Sequence, residues 1–194
     1  MRTYKRYDLM GFSNQKILLQ IIPGLGSGGA ERGAVDVAKD AVKRGWRSLI
    51  ATSGGFLEQE AVTAGVEIVN IPLVSKAPHN MISNAFALKR IIKETNPDII
   101  HVRSRGPAWS LYFAIGSDPR IVTTYHGTYS AGNWLKKYYN SIMAKGQRVI
   151  CISAFIATHV KAEYPWSHKR LRIVPRGLRL ERFRAQGFDP KNPP

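Results

Sequence analysis

The chain has 194 residues, 44% of them apolar and 22% charged, ordinary proportions for one folded domain with a buried core, which exclude disorder throughout. Lys and Arg number 29 against 13 Asp and Glu, a formal charge of +16, so the partners to consider are polyanions, nucleic acid or an anionic lipid or phosphorylated glycolipid, beside a merely solvated basic surface. No run of about 18 apolar residues follows the basic "MRTYKRYDLMGFSNQ" or occurs elsewhere, and the lone Cys151, in apolar "VICIS", excludes an intrachain disulfide and reads as an inert buried thiol in a cytoplasmic protein.

Residues 1–15 form a basic extension. Beyond it, "QKILLQII" reads as a buried strand, followed by the glycine-rich "PGLGSGGAERG" at 23–33. Ala30, Ala34, Val37, Ala38, Ala41 and Val42 then recur at spacings of three and four, one face of a helix that Gly45 ends. "WRSLIATS" predicts a second strand, "FLEQEAVTAG" a short helix and "VEIVNIP" a third strand. "NMISNAFALKRIIKETN" predicts a helix stopped by Pro97, because the residue before proline is pushed out of the helical region. "DIIHVRS", "RIVTTYH" and "RVICIS" are further strands, separated by "GPAWSLYFAIG" and "NWLKKYYNSIMAK". Ser153 caps "AFIATHVKAEY" through its hydroxyl, and a last strand, "LRIVP", leads into "RGLRLERF" and a polar, Pro-rich tail.

Strands alternating with helices imply parallel βαβ crossovers and a Rossmann-like, doubly wound α/β sheet of about seven strands with helices on both faces. Ligands of such sheets bind at the carboxyl ends of the strands. That rule selects the loops at 23–29, 52–56, 103–107 and 126–134, and residue 153. Gly24, Gly26 and Gly29 satisfy the dinucleotide fingerprint after a strand and before a helix. A nicotinamide site also needs an acid some twenty residues on, and "IATSGG" offers none. What remains is a helix start whose backbone amides, bare at Gly28 and Gly29, suit an anion or a sugar at the positive end of the helix dipole. A purely structural glycine turn is the alternative.

"GLGSGGAERGAVDVAKDAVKRGWRSLIATSGG" resembles the first βαβ unit of the glycosyltransferase family 4-like N-terminal domain, whose "GGAE" segment opens the first helix. "VTTYHG" resembles that family's strand-end histidine, "VICISAFI" its sixth strand and helix start, and "RIVPRGLRLERF" its closing "PNGVDxxxF" segment. The match runs from about residue 16 to 184, and "HVRSRGPAWS" looks most like bacterial members acting on envelope glycolipids such as lipopolysaccharide core. Arg176 stands where the family has asparagine, and Arg179 where it has an acid.

The resemblance implies the N-terminal half of a GT-B enzyme, in which two Rossmann-like domains face each other across a cleft. Residues 16–184 are the acceptor-side domain and 185–194 begin the interdomain linker. The donor half is absent, since no two glutamates stand eight positions apart as its glutamate pair requires. The implied chemistry is retaining transfer of a hexosyl group from a nucleotide diphosphate sugar to an envelope glycolipid or glycan, with no metal and no cofactor besides that donor. By resemblance, Gly28 and Gly29 face the donor and His126, with Gly127 beside it, contacts the reacting sugar or acceptor.

Arg103 and Arg105, flanking Ser104, form a fork for acceptor phosphate, with simple solvated arginines as the alternative. His101 is read as a core residue, and His79, His159 and His168 lack metal-ligand spacing. Trp134, Leu135, Tyr138, Tyr139 and Ile142 with Lys136, Lys137 and Lys145 suit either an interfacial helix on the inner face of the cell membrane or an ordinary core helix. A non-catalytic module binding anionic glycolipid is the alternative to an enzyme. Nucleic acid is disfavoured, because no recognisable binding motif or stacking sheet is present.

Overall fold

The structure, a computed structural model, describes residues 15–75, 77–130 and 132–177. Most of the expected extension 1–15, the linker 185–194 and Arg179 lie outside the described residues. Apolar runs form the strands β1 (Ile17–Ile21), β2 (Arg47–Thr52), β3 (Glu67–Asn70), β4 (Ile99–Val102), β5 (Ile121–Tyr125), β6 (Arg148–Cys151) and β7 (Leu171–Ile173). Between them stand α1 (Gly29–Lys43), α2 (Glu58–Thr63), α3 (Pro78–Thr95), α4 (Arg105–Ile115), α5 (Trp134–Ser141) and α6 (Ala154–Glu163). Short 3-10 turns at Ile142–Lys145 and Pro165–Arg170 complete the described chain.

All seven strands pair in parallel, in the order β3-β2-β1-β4-β5-β6-β7. Right-handed crossovers place helices on one face while the chain steps one way along a sheet, and on the other face when it reverses. The reversal falls between β3 and β4. Accordingly α1 and α2 pack over β1 and β2, where Ile22, Ala34, Val35, Ile50, Leu57 and Ala61 are buried together. The later helices cover the opposite face, burying Leu88, Leu111, Met143, Ile156 and Val160 against Leu19, Ile100, Tyr125 and Val149. The first face of β4–β6 carries no helix among the described residues, and that gap beside α1 positions the site.

Local rules explain the element ends. Gly45 follows α1 with φ +79°, the left-handed turn that glycine enters without a Cβ clash. Asn96 ends α3 in the left-handed region, φ 43° and ψ 63°, which asparagine tolerates, and Pro97 directly after it disfavours a further right-handed helical residue there. The Ser153 hydroxyl accepts from the Ile156 amide and caps α6, as expected from sequence. One apolar position departs from expectation. Val37, read as part of the buried face of α1, is exposed, and Val35 is buried in its place, because α1 is covered by the sheet on one side only and Val37 turns toward the helix-free gap.

Candidate active site

The glycine-rich loop is held by the loop after β2. Leu25 donates its amide to the Gly54 carbonyl at 2.8 Å, and Leu57 donates to the Leu25 carbonyl at 2.9 Å. Gly54 and Gly55 adopt φ +83° and +144°. A Cβ on Gly55 would stand 2.7 Å from the Leu25 backbone. These two glycines are therefore structural.

Gly28 and Gly29 differ. Gly28 caps α1 with φ −72° and no side-chain cap bond, and neither residue has positive φ. Added Cβ atoms there would meet only the movable ends of Glu31 over Gly28 and of Arg176 over Gly29. Backbone conformation does not demand glycine at either position. The bare helix start and its dipole are left facing outward.

Beside this start lies a cleft of about 510 Å³ between α1, the strand ends of β4–β6 and the segment 174–177. Its α1 wall includes Gly29, Gly33 and Val37, and its floor includes His101, Arg103 and Thr124. This is the β1/β4 reversal, where open parallel sheets bind ligands. Strand pairing sets His101 opposite Gln20. Gln20, fully buried, donates to the Ala34 carbonyl at 2.8 Å and accepts from Arg103 Nε at 2.9 Å. One amide thus ties β1, α1 and the cleft floor together.

The histidines are neutral donors. Arg103 Nη2 faces His101 Nδ1 at 3.5 Å, and a guanidinium can only donate, so the His101 proton sits on Nε2 and goes to Thr124 Oγ1 at 2.7 Å. Burial, then the charge of Arg103, holds His101 well below the usual histidine range. Arg176 Nη2 donates to His126 Nδ1 at 2.6 Å, leaving the Nε2–H of His126 buried and without a hydrogen-bond partner. Burial, followed by the charges of Arg103 and Arg176, lowers His126 to about 3. At neutral pH His126 offers a hydrogen bond, and it is not a base in this state.

The cleft gathers Gly29, Arg103 and His126 from the residues expected by sequence, while Gly28 adjoins its edge. The fork of Arg103 and Arg105 does not form. Arg105 Nη1 donates to Asn140 Oδ1 at 2.6 Å, and its guanidinium lies 4.3 Å from the centre of the Tyr129 ring, because Ser104 between them turns the chain into α4. Ser104 caps α4 without a side-chain bond, and neither it nor Gly127 lines the cleft.

His101, expected in the core, is buried yet lines the cleft floor, since its side of the sheet carries no helix there. Gln20, Thr124 and Arg176 were not assigned to the site from sequence. The first two left a signal as polar residues interrupting apolar strands in "ILLQI" and "IVTTY". Cys151 is buried, and burial pushes its thiol up to about 11, an inert group. Among the described residues, no three His, Cys, Asp or Glu side chains cluster closely enough to hold a metal ion.

Residues 27–182 match the sequence family described as Glycosyltransferase Family 4. No curated protein matches the chain. Among solved structures it is similar to a glycosyltransferase from Rickettsia africae ESF-5, with 37% identity and a TM-score of 0.76 over 92% of this chain and 47% of that one. It shares its fold with Anabaena Alr3699/HepE, solved with UDP and glucose, at 15% identity and a TM-score of 0.61, covering 87% of this chain and 46% of that one. It also shares the fold of WaaG, a glycosyltransferase involved in lipopolysaccharide biosynthesis, at 14% identity and a TM-score of 0.59, covering 85% and 46%. The chain thus spans about half the length of the solved structures it matches.

Proposed function

Because the chain belongs to glycosyltransferase family 4 and has the Rossmann-like fold of the N-terminal domain of GT-B enzymes, we propose that its cleft is the acceptor side of a retaining, metal-independent hexosyltransferase. The donor is a nucleotide diphosphate sugar held by a second Rossmann-like domain. The acceptor is an envelope glycolipid or glycan. In the reaction, the bond from the anomeric carbon to the diphosphate breaks with its electron pair on the phosphate oxygen. A bond to the acceptor oxygen forms on the same face of the sugar, and the acceptor hydroxyl proton passes to the departing phosphate.

The observation that carries this reading is the bare start of α1 at Gly28 and Gly29, where backbone conformation does not demand glycine. Preorganised amides there stabilise the departing diphosphate with little reorganisation. The His126 Nε2–H, without a partner inside the protein, reaches a hydroxyl of the transferred sugar or acceptor. Donor affinity resides mainly in the second domain. Calorimetric titration of the 194-residue chain with common nucleotide-sugars is therefore expected to show only weak binding, and assays of the same chain no transfer. Micromolar binding by this chain alone overturns that division of labour.

Contact with an anionic membrane on its cytoplasmic face is a second part of the proposal. Ile82, Phe86, Phe113, Trp134, Leu135 and Tyr138 are exposed, and an apolar cup of about 670 Å³ opens between Met81, Trp109 and Tyr139. Lys145 stands 4.6 Å from the centre of the Tyr112 ring beside the cup, and Lys136 and Lys137 rise from α5. Exposed aromatic residues bordered by lysines suit the interfacial zone of an anionic bilayer. No helix among the described residues is long and apolar enough to cross a membrane.

A further inference from the structure

The charge on the cleft floor is unbalanced. Arg103 is only 7% exposed, and its hydrogen-bond partners are the neutral Gln20 and His101. No carboxylate among the described residues forms an ion pair with it. Asp40, which also lines the cleft, pairs with Arg44 at 2.7 Å. Burial, and then the charge of a second cation, Arg176, lowers Arg103 to about 10. A buried guanidinium without an anion is expensive, and like charge nearby makes it more so.

Arg176 and His126, the groups beside it, both donate, while the carboxylates in the cleft, Asp36 and Asp40, stand on its α1 wall. Arg176 lies over Gly29, where a side chain would collide with its guanidinium. By donating to His126 Nδ1 it fixes the proton on Nε2, a buried donor with no partner. For an anion the cleft therefore presents two guanidinium groups. A carboxylate brings two oxygens and one charge to two cations, whereas a phosphomonoester offers three oxygens and up to two charges. Arginine forks match that geometry.

We propose that Arg103 and Arg176 form a receptor for a phosphomonoester carried by the acceptor, so that the acceptor is a phosphorylated glycan or glycolipid. The word acceptor rests on the transfer reading above. The receptor itself does not, because every group in it belongs to this chain. Arg103 and Arg176 set specificity for the phosphate, and the Nε2–H of His126 is left for the sugar or acceptor hydroxyl.

Calorimetric titration of the 194-residue chain in chloride buffer tests the receptor with four probes: glucose 1-phosphate, glucose, inorganic phosphate and UDP. Glucose 1-phosphate and inorganic phosphate are expected to bind with millimolar affinity or better, and glucose not at all. Arg176→Gln, at an exposed position, and Arg103→Gln should each weaken binding roughly tenfold or more, the scale of a charged hydrogen bond. Arg105→Gln, whose guanidinium is occupied by Asn140, should bind as the parent does. If Arg103→Gln does not fold, Arg176→Gln carries the test.

Absence of phosphate binding, equal binding by the parent and Arg176→Gln, or binding of UDP alone overturns the inference, the last because it assigns the arginines to the donor diphosphate. A longer protein that transfers sugar only to unphosphorylated acceptors overturns it too and leaves the transfer reading standing. A protein that binds glucose 1-phosphate through both arginines but transfers nothing upholds the receptor and defeats the transfer reading.

Discussion

Glycine serves two purposes within one short stretch of fold, and the difference is measurable. At Gly55, φ of +144° and the Leu25 backbone 2.7 Å from a would-be Cβ predict that Gly55→Ala lowers unfolding free energy by about 2 kcal/mol or more. At Gly28 the obstacle is the movable end of Glu31, so Gly28→Ala is expected to change stability by less than about 1 kcal/mol while it impairs transfer by a longer protein. Urea melts of the two variants check the first half of the contrast, and turnover checks the second.

The histidines add a pH dependence. His101 and His126 are held neutral by burial and by the arginines, His126 down to about 3. Below the unfolded value near 6.5 the unfolded chain therefore binds protons that the native state refuses. Stability attributable to them is fully present above that value and is lost as pH falls from about 6.5 toward 3. Urea unfolding at pH 7.5 and pH 5 is expected to show the loss, and His126→Gln to reduce it. An unchanged pH slope in His126→Gln removes His126 as a source.

Elements were more legible than the contacts between them. The three-and-four spacing of alanines, the apolar strand runs, the pre-proline stop at Asn96 and the Ser153 cap each correspond to an element seen in the structure. Local signals sufficed because each depends on neighbours along the chain. The fork of Arg103 and Arg105 failed for the opposite reason. Alternation along β4 ends at Ser104, where the chain enters α4, and no local rule says that Arg105 finds Asn140 thirty-five residues away. Arg176 joined the site for an equally nonlocal reason, its bond to His126.

At the same scale, α5 supplies a test of the membrane proposal. Trp134 is 75% exposed at its start, and each basic group near an anionic surface contributes on the order of 1 kcal/mol that salt screens. The chain should therefore co-sediment with anionic vesicles, release them as salt rises and ignore neutral ones. Lys136→Glu with Lys137→Glu should bind markedly less. Equal binding by the two proteins removes α5 from the membrane contact, and displacement of vesicles by DNA at low concentration redirects the basic charge to nucleic acid.

For the whole molecule, direction of winding accounts for the position of the cleft. The chain steps outward through β2 and β3, then returns to pair β4 with β1 and proceeds to β7. Right-handed connections then place α1 and α2 on one face and later helices on the other, leaving polar side chains of β4 and β5 facing a gap beside the start of α1. The same geometry brings Gly29, Arg103 and His126 together from separate parts of the sequence. The central claim is that glycosyl transfer takes place at this gap. The most direct test is turnover of nucleotide-sugars by a longer protein joining this chain to a donor-binding domain, compared between the parent and His126→Ala. A fall in kcat of roughly 100-fold or more, the scale of losing one positioned transition-state donor, with the melting temperature nearly unchanged, is the predicted result; near-normal turnover contradicts it.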